Sequence, residues 1–83
     1  MYFVYILISI NTGKYYIGST NDLEARIIKH NSGGVFWTKI YRPWSLIYCE
    51  EYNTLSQARK REYQLKSWKK RKAIENLIRK ATI

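Results

Sequence analysis

Arg26 and His30 stand four residues apart in the run LEARIIKH, so on a helix they share one side. A guanidinium can hold a phosphate and an imidazole can carry a proton. Leu23 and Ile27 mark the direction of the core in the same run. At about 100° per residue, Arg26 and His30 lie roughly 60° and 20° to one side of that direction, so both lean toward whatever the helix packs on. Each also has a plain structural reading: the arginine stem can cover apolar surface, and the histidine can be a satisfied core residue.

Glu62 poses the sharper question. On a helical wheel it falls between Leu55 and Ala58, with Leu65 beyond, in the middle of the apolar stripe. A carboxylate there needs a partner, because an unpaired buried ion is strongly unfavourable. Arg26, Lys66 and a metal ion are the three candidates.

Tyr5 and Tyr16 belong to two strand-like runs, YFVYILISI and YYIGS, separated by turn residues. A four-residue loop at Asn11 to Lys14 puts both tyrosines on one face of a hairpin, offset by about four positions, or roughly 13 Å along the strands. Gly18 ends the second run, where the chain must turn close to the start of a helix whose free amides attract anions. Two phenols, a guanidinium, an imidazole and a carboxylate are together what phosphodiester hydrolysis requires: water activation, a cation on the phosphate, and an anchor for a divalent ion.

The elements that must position these groups are readable from pattern. The apolar start, Tyr2 to Ile10, is rich in β-branched and aromatic residues on both alternating faces, as in a strand covered on two sides. It is too short to span a bilayer and lacks a basic leader and a cleavage site. A third strand is expected at residues 45 to 52, where Leu46 and Tyr48 alternate with Ile47 and Cys49, just after Pro43. Cys49, the only cysteine, is expected to pack as a small buried hydrophobe in a reducing cytoplasm.

The first helix is expected to start near Asn21, with Glu24 reaching back in a capping box, and to stop at Gly33-Gly34. The second begins near Thr54 with Gln57 in the matching position. The third covers residues 69 to 81, with Ala73, Ile74, Leu77, Ile78 and Ala81 on one stripe. The apolar directions of these two helices differ by roughly 110°, which predicts a break near Ser67. The order ββαβαα gives an α+β fold: a three-stranded antiparallel sheet flanked by helices, in one domain over residues 1 to 83.

Fifteen Lys and Arg against six Asp and Glu leave a formal charge of +9 on 83 residues. That excess favours a polyanionic partner, while a hydrophobic fraction of 46% with eight tyrosines and three tryptophans is too apolar and aromatic for a disordered chain. Ten of the fifteen cations lie between Arg59 and Lys80. Lys66 and the run Lys69, Lys70, Arg71 and Lys72 make up the expected phosphate-tracking surface.

These residues resemble the GIY-YIG nuclease superfamily: FVY at 3 to 5, YIG at 16 to 18, Arg26 with His30, and REYQLK at 61 to 66. The match spans nearly the whole chain and is similar to small stand-alone bacterial members. The resemblance implies cleavage of DNA with one divalent ion, Mg²⁺ or Mn²⁺. It implies that Tyr5 and Tyr16 activate and position water, that Arg26 stabilises the phosphate, that His30 handles protons, and that Glu62 binds the metal. The first triplet departs from the family, with Phe3 for its glycine and Val4 for its isoleucine. RNA stays open as a substrate. So does a partner protein or a dimer as the source of specificity, since the chain carries no evident targeting module.

Two readings oppose this one. A nucleic-acid-binding module could keep the fold and cut nothing, with Glu62 merely salt-bridged. A membrane-surface protein would use the last helix as an anchor, but Ile74, Leu77 and Ile78 are needed for so small a core.

Overall fold

The computed structural model describes residues 1–81. Strand β1 (Tyr2–Ser9) is central in a three-stranded antiparallel sheet of order β2-β1-β3, with β2 (Tyr15–Thr20) and β3 (Trp44–Tyr52) as its edges. Helix α1 (Leu23–Asn31) follows β2, a single 3₁₀ turn (Lys39–Tyr41) precedes β3, and α2 (Leu55–Ser67) and α3 (Arg71–Ala81) end the described chain. The order ββαβαα and the α+β class are those read from the sequence.

β1 is apolar on both faces because both faces are covered. Val4 and Ile6 point to one layer, where Ala58, Leu65 and Ile74 of α2 and α3 complete a buried cluster. Tyr5 and Leu7 point to the other, against Trp44, with Leu23 and Ile27 of α1 and Tyr41 packed around them. Burying an aliphatic side chain of this size contributes roughly 1.5–3 kcal/mol, so a handful of such residues carries much of the stability of a domain this small.

The hairpin closes one residue earlier than expected. Ser9 N–H donates to Lys14 O at 2.8 Å, and Gly13 N–H donates to Ser9 O at 2.8 Å with Gly13 at φ 74°. The loop is therefore Ile10 to Gly13 rather than Asn11 to Lys14, closed by a left-handed residue that only glycine adopts without cost. Tyr16 consequently pairs with Leu7, and Tyr5 with Gly18. The tyrosines share a face as expected but are offset by two positions, not four.

β3 carries a bulge at Ile47, where the register shifts between Ile6 paired with Tyr48 and Leu7 paired with Leu46. Leu46 and Tyr48 thus face opposite layers instead of sharing one, as the alternation had suggested. Beyond the bulge Tyr48, Glu50 and Tyr52 turn toward α2, while Cys49 and Glu51 are exposed. Cys49 is not the buried hydrophobe expected from its type, because on this edge strand nothing covers its face.

Helix starts were read to within a residue or two. Thr54 caps α2, its hydroxyl accepting from Gln57 N–H at 3.2 Å. In α1 the cap is Asp22 rather than Asn21, with Oδ1 accepting from Ala25 N–H at 3.1 Å. Thr20 Oγ1 accepts the Asp22 amide at 3.1 Å and so fixes the turn one residue further on. Gly33, at φ 84°, lies just past the Ser32 cap that ends α1. α2 stops at Ser67, where Trp68 turns to extended backbone, and α3 starts at Arg71 instead of Lys69.

Candidate active site

Tyr5 is 1% exposed and its ring runs across the sheet toward the β2 edge. A Cβ built on its ladder partner Gly18 would lie 2.5 Å from the Tyr5 hydroxyl oxygen, a separation that real contacts do not reach. The glycine is there for space, since its backbone is not in the left-handed region. It lets the phenol cross β2 and reach the far side.

There the hydroxyl meets His30 Nε2 at 3.2 Å. His30 is wholly buried, and its Nδ1 lies 2.8 Å from Thr38 Oγ1. Thr38 Oγ1 in turn donates to Val35 O at 3.3 Å, so its lone pairs accept Nδ1–H. That assigns the tautomer: Nδ1 carries the proton and Nε2 accepts from the Tyr5 O–H. Burial, and then the charges of Arg26 and Lys29, hold His30 below the ordinary histidine value of 6.5. It is a neutral proton acceptor at neutral pH. Burial is also the main cause that raises the Tyr5 hydroxyl, with Tyr16 and Glu62 adding to it and Arg26 opposing.

The loop that supplies Thr38 is tied down. Trp44 Nε1–H donates to Thr38 O at 2.9 Å, and Asn31 clamps both the N–H and the C=O of Trp44, at 2.6 and 3.1 Å. The end of α1, the loop and the start of β3 therefore move as one piece around His30.

Tyr16 packs its ring on His30, with centroids 4.7 Å apart, and lies 6.3 Å from the Tyr5 ring. Tyr16 also borders a surface groove of about 490 Å³ in the opposite layer, where Leu65 and Ile74 form its apolar wall and Lys14, Lys66, Lys69 and Arg71 its basic one. Arg71 stacks on the Tyr15 ring at 4.3 Å and lies 3.7 Å from Glu75. Lys70 and Lys72 are exposed outside that groove. Arg26 is half-buried and close enough to Tyr5 and His30 to bias both, yet its side chain makes no hydrogen bond or ion pair among the described residues. Such a guanidinium is ready to receive an anion.

Glu62 reaches this edge from the opposite layer. Its Oε1 accepts from Ser19 Oγ at 2.5 Å and its Oε2 from Lys66 Nζ at 2.6 Å. Of the three partners weighed for it, Lys66 is the one present, and Arg26 is not in contact. Ser19 follows Gly18 in β2, and neighbouring residues of a strand face opposite layers. The tyrosine and histidine groups thus lie on one side of the β2 edge and the carboxylate on the other.

Sequence reasoning singled out Tyr5, Tyr16, Arg26, His30 and Glu62, and it missed Thr38 and Ser19. The signal for Ser19 was its place beside Gly18 in a strand. Thr38 lies in an aperiodic loop, where no spacing marks it. Among the described residues no group of three or more His, Cys, Asp or Glu is gathered to hold a metal, so any ion here would rest on Glu62 as a lone protein carboxylate. No helix of the described residues is long and apolar enough to cross a membrane.

The buried tyrosine–histidine pair thus sits on a small three-stranded sheet with helices on both faces, an α+β scaffold. Residues 1–76 match the GIY-YIG catalytic domain, and the chain belongs to that family of nucleases, whose substrates are nucleic acids. Its relatives include a UPF0213 protein of Staphylococcus epidermidis, 45% identical over 75 residues and covering 89% of this chain and 90% of the relative. A UPF0213 protein of Staphylococcus saprophyticus is 43% identical over the same length, covering 89% and 90%. The solution NMR structure of a UPF0213 protein from Bacillus halodurans superposes with a TM-score of 0.59 at 34% identity, covering 94% of this chain and 83% of that one.

Proposed function

We propose that this chain is a divalent-metal-dependent endonuclease that hydrolyses phosphodiester bonds in DNA. The observation that carries the proposal is the line from Tyr5 through His30 to Thr38, with Arg26 beside it and without a bonded partner among the described residues. A water next to the bound phosphate gives its proton to the Tyr5 oxygen while Tyr5 passes its own proton to His30 Nε2. The hydroxide then attacks phosphorus opposite the leaving oxygen. Arg26 faces the charge that builds on the phosphate. Arg26 and Lys29, which disfavour imidazolium, also favour release of the proton after each turnover.

Glu62 is the residue that would hold the metal. Mg²⁺ and Mn²⁺ fit a site with one carboxylate, because such ions keep several waters and take substrate phosphate oxygens as ligands. The ion would supply charge stabilisation at the phosphate and the leaving oxygen. Lys66 and Lys69, beside Tyr16 in the groove, would hold the strand by its backbone.

The salt bridge from Glu62 to Lys66 supports a second reading, a binding module that keeps the fold without cutting. Cleavage of labelled linear, branched and single-stranded DNA in Mg²⁺, Mn²⁺ or EDTA separates the two. For a nuclease, wild type cuts with metal, EDTA stops it, and Arg26→Ala and Tyr5→Phe lose activity while folded. Binding of every probe by wild type and both variants, with no product under any condition, would leave the binding module.

A further inference from the structure

Phe36 and Trp37 are 69% and 78% exposed, and Ile40 close by is 72% exposed. Two adjacent large aromatics bare on so small a surface are unusual, since such rings normally dominate cores and interfaces. They are held in place rather than loose: the next residue, Thr38, is 2% exposed and fixed by His30 and by the Trp44 indole. The two rings meet edge to face at 5.4 Å and 83°. Lys39 Nζ lies 5.1 Å from the Phe36 ring centroid.

Charge indicates what covers them. From Ala25 to Cys49 the chain has no Asp or Glu, while it has Arg26, Lys29, Lys39 and Arg42. Aromatic faces among cations alone match a ligand that is itself a chain of anions bearing π faces. In a perfect duplex those faces are covered by their neighbours, and only single strands or splayed nucleotides offer one to a side chain.

We propose that Phe36 and Trp37 form a stacking platform for an unstacked base of a nucleic acid whose phosphate lies at the Tyr5–His30 site. This rests on the reading of that site as a nuclease centre and adds the form of the substrate: single-stranded, or opened next to the cut. The rigid link through Thr38 sets the distance between the stacked base and the reacting phosphate.

The test is fluorescence anisotropy in EDTA with a labelled oligothymidylate of about 12 nucleotides and with a long duplex, using wild type, Phe36→Ala, Trp37→Ala and Trp37→Phe. Both alanine variants should bind the oligothymidylate about tenfold more weakly, bind the duplex within about twofold of wild type, and keep the wild-type melting temperature; Trp37→Phe should restore most of the loss. Equal losses on both probes, or none on either, overturn the platform while leaving any cleavage activity standing. Tighter binding to phosphatidylglycerol vesicles than to oligothymidylate, abolished by Trp37→Ala, overturns it in favour of a lipid surface. Wild type that binds neither nucleic-acid probe overturns both the platform and the nuclease reading beneath it.

Discussion

Two carboxylates lie at helix α2, Glu62 of the helix itself and Glu50 facing it from β3, and they are held in very different ways. Glu50, on β3, accepts Arg61 Nε–H and Nη2–H at 2.9 and 3.1 Å, the Tyr52 hydroxyl at 2.6 Å, and the Tyr48 hydroxyl. Burial alone would raise its carboxyl; Arg61 and the two tyrosines outweigh that and hold it below the ordinary glutamate value. Burial and then Glu50 push Tyr48 up to about 12. Glu62 has one hydroxyl and one lysine, and that lysine side chain is 51% exposed against 21% for Arg61. A forked pair with every lone pair used is a fastener. A carboxylate with spare lone pairs and a swinging partner can take another ligand.

That contrast is broken or sharpened most strongly by matched substitutions. Glu62→Gln should lower cleavage by about 10²-fold or more, with stability within about 0.5 kcal/mol of wild type; gel assays beside urea melts check both. Glu50→Gln should do the reverse, costing about 2 kcal/mol in urea unfolding while the folded protein still cuts. A Glu50→Gln protein that folds normally and has lost activity would collapse the distinction.

Gly18→Ala bears on the Tyr5–His30 side of the β2 edge and leaves Glu62 untouched. Its methyl would meet the Tyr5 hydroxyl at 2.5 Å, so Tyr5 must leave His30 Nε2, with an overpacking cost of about 1–3 kcal/mol. Cleavage should fall at least as far as in Tyr5→Phe.

The two sides also differ in pH response. His30 is held below 6.5 in the fold, so the unfolded chain takes up that proton first. Stability should therefore drop as pH falls below 6.5 and stop dropping once the folded imidazole protonates. Glu50 is depressed, so its contribution is present above the ordinary 4.5 and lost as pH falls through the lower folded value. Urea melts across pH should show the first step vanish in His30→Gln and the second in Glu50→Gln. Cleavage should decline with the protonation of His30, below pH 6.5.

The smallest effect belongs to Lys66→Ala. An exposed lysine paired at i,i+4 contributes under about 1 kcal/mol. Its removal should instead shift the slope of log binding against log salt by about 0.7–0.9 if it touches one phosphate.

How much of this was legible depended on period. Strands and helices followed from apolar alternation and from caps, and Asp22 displaced Asn21 only because the Thr20 hydroxyl takes the Asp22 amide. That Tyr5 and Tyr16 share a face followed from parity, which survives a loop shift of one residue at both ends. Their separation did not survive it, because the same shift changes the offset by two. The inward lean of Glu62 was legible on α2; its approach from the other layer was not, since a helical wheel carries no information about which face of a sheet the helix covers. Thr38 was hidden for a simpler reason, as a residue in an irregular loop has no pattern to announce it.

The extra residue at Ile47 sets the layer of everything after it. Upstream, Trp44 and Leu46 look toward α1; downstream, Tyr48, Glu50 and Tyr52 look toward α2. A deletion of that one residue would change neither charge nor hydropathy pattern in any evident way, yet it would exchange inside for outside along half the strand. Glu50 and its two tyrosines would then leave Arg61 and swing to the side where Tyr5 and His30 lie. One residue at that point therefore decides which layer of the molecule carries the Glu50 carboxylate.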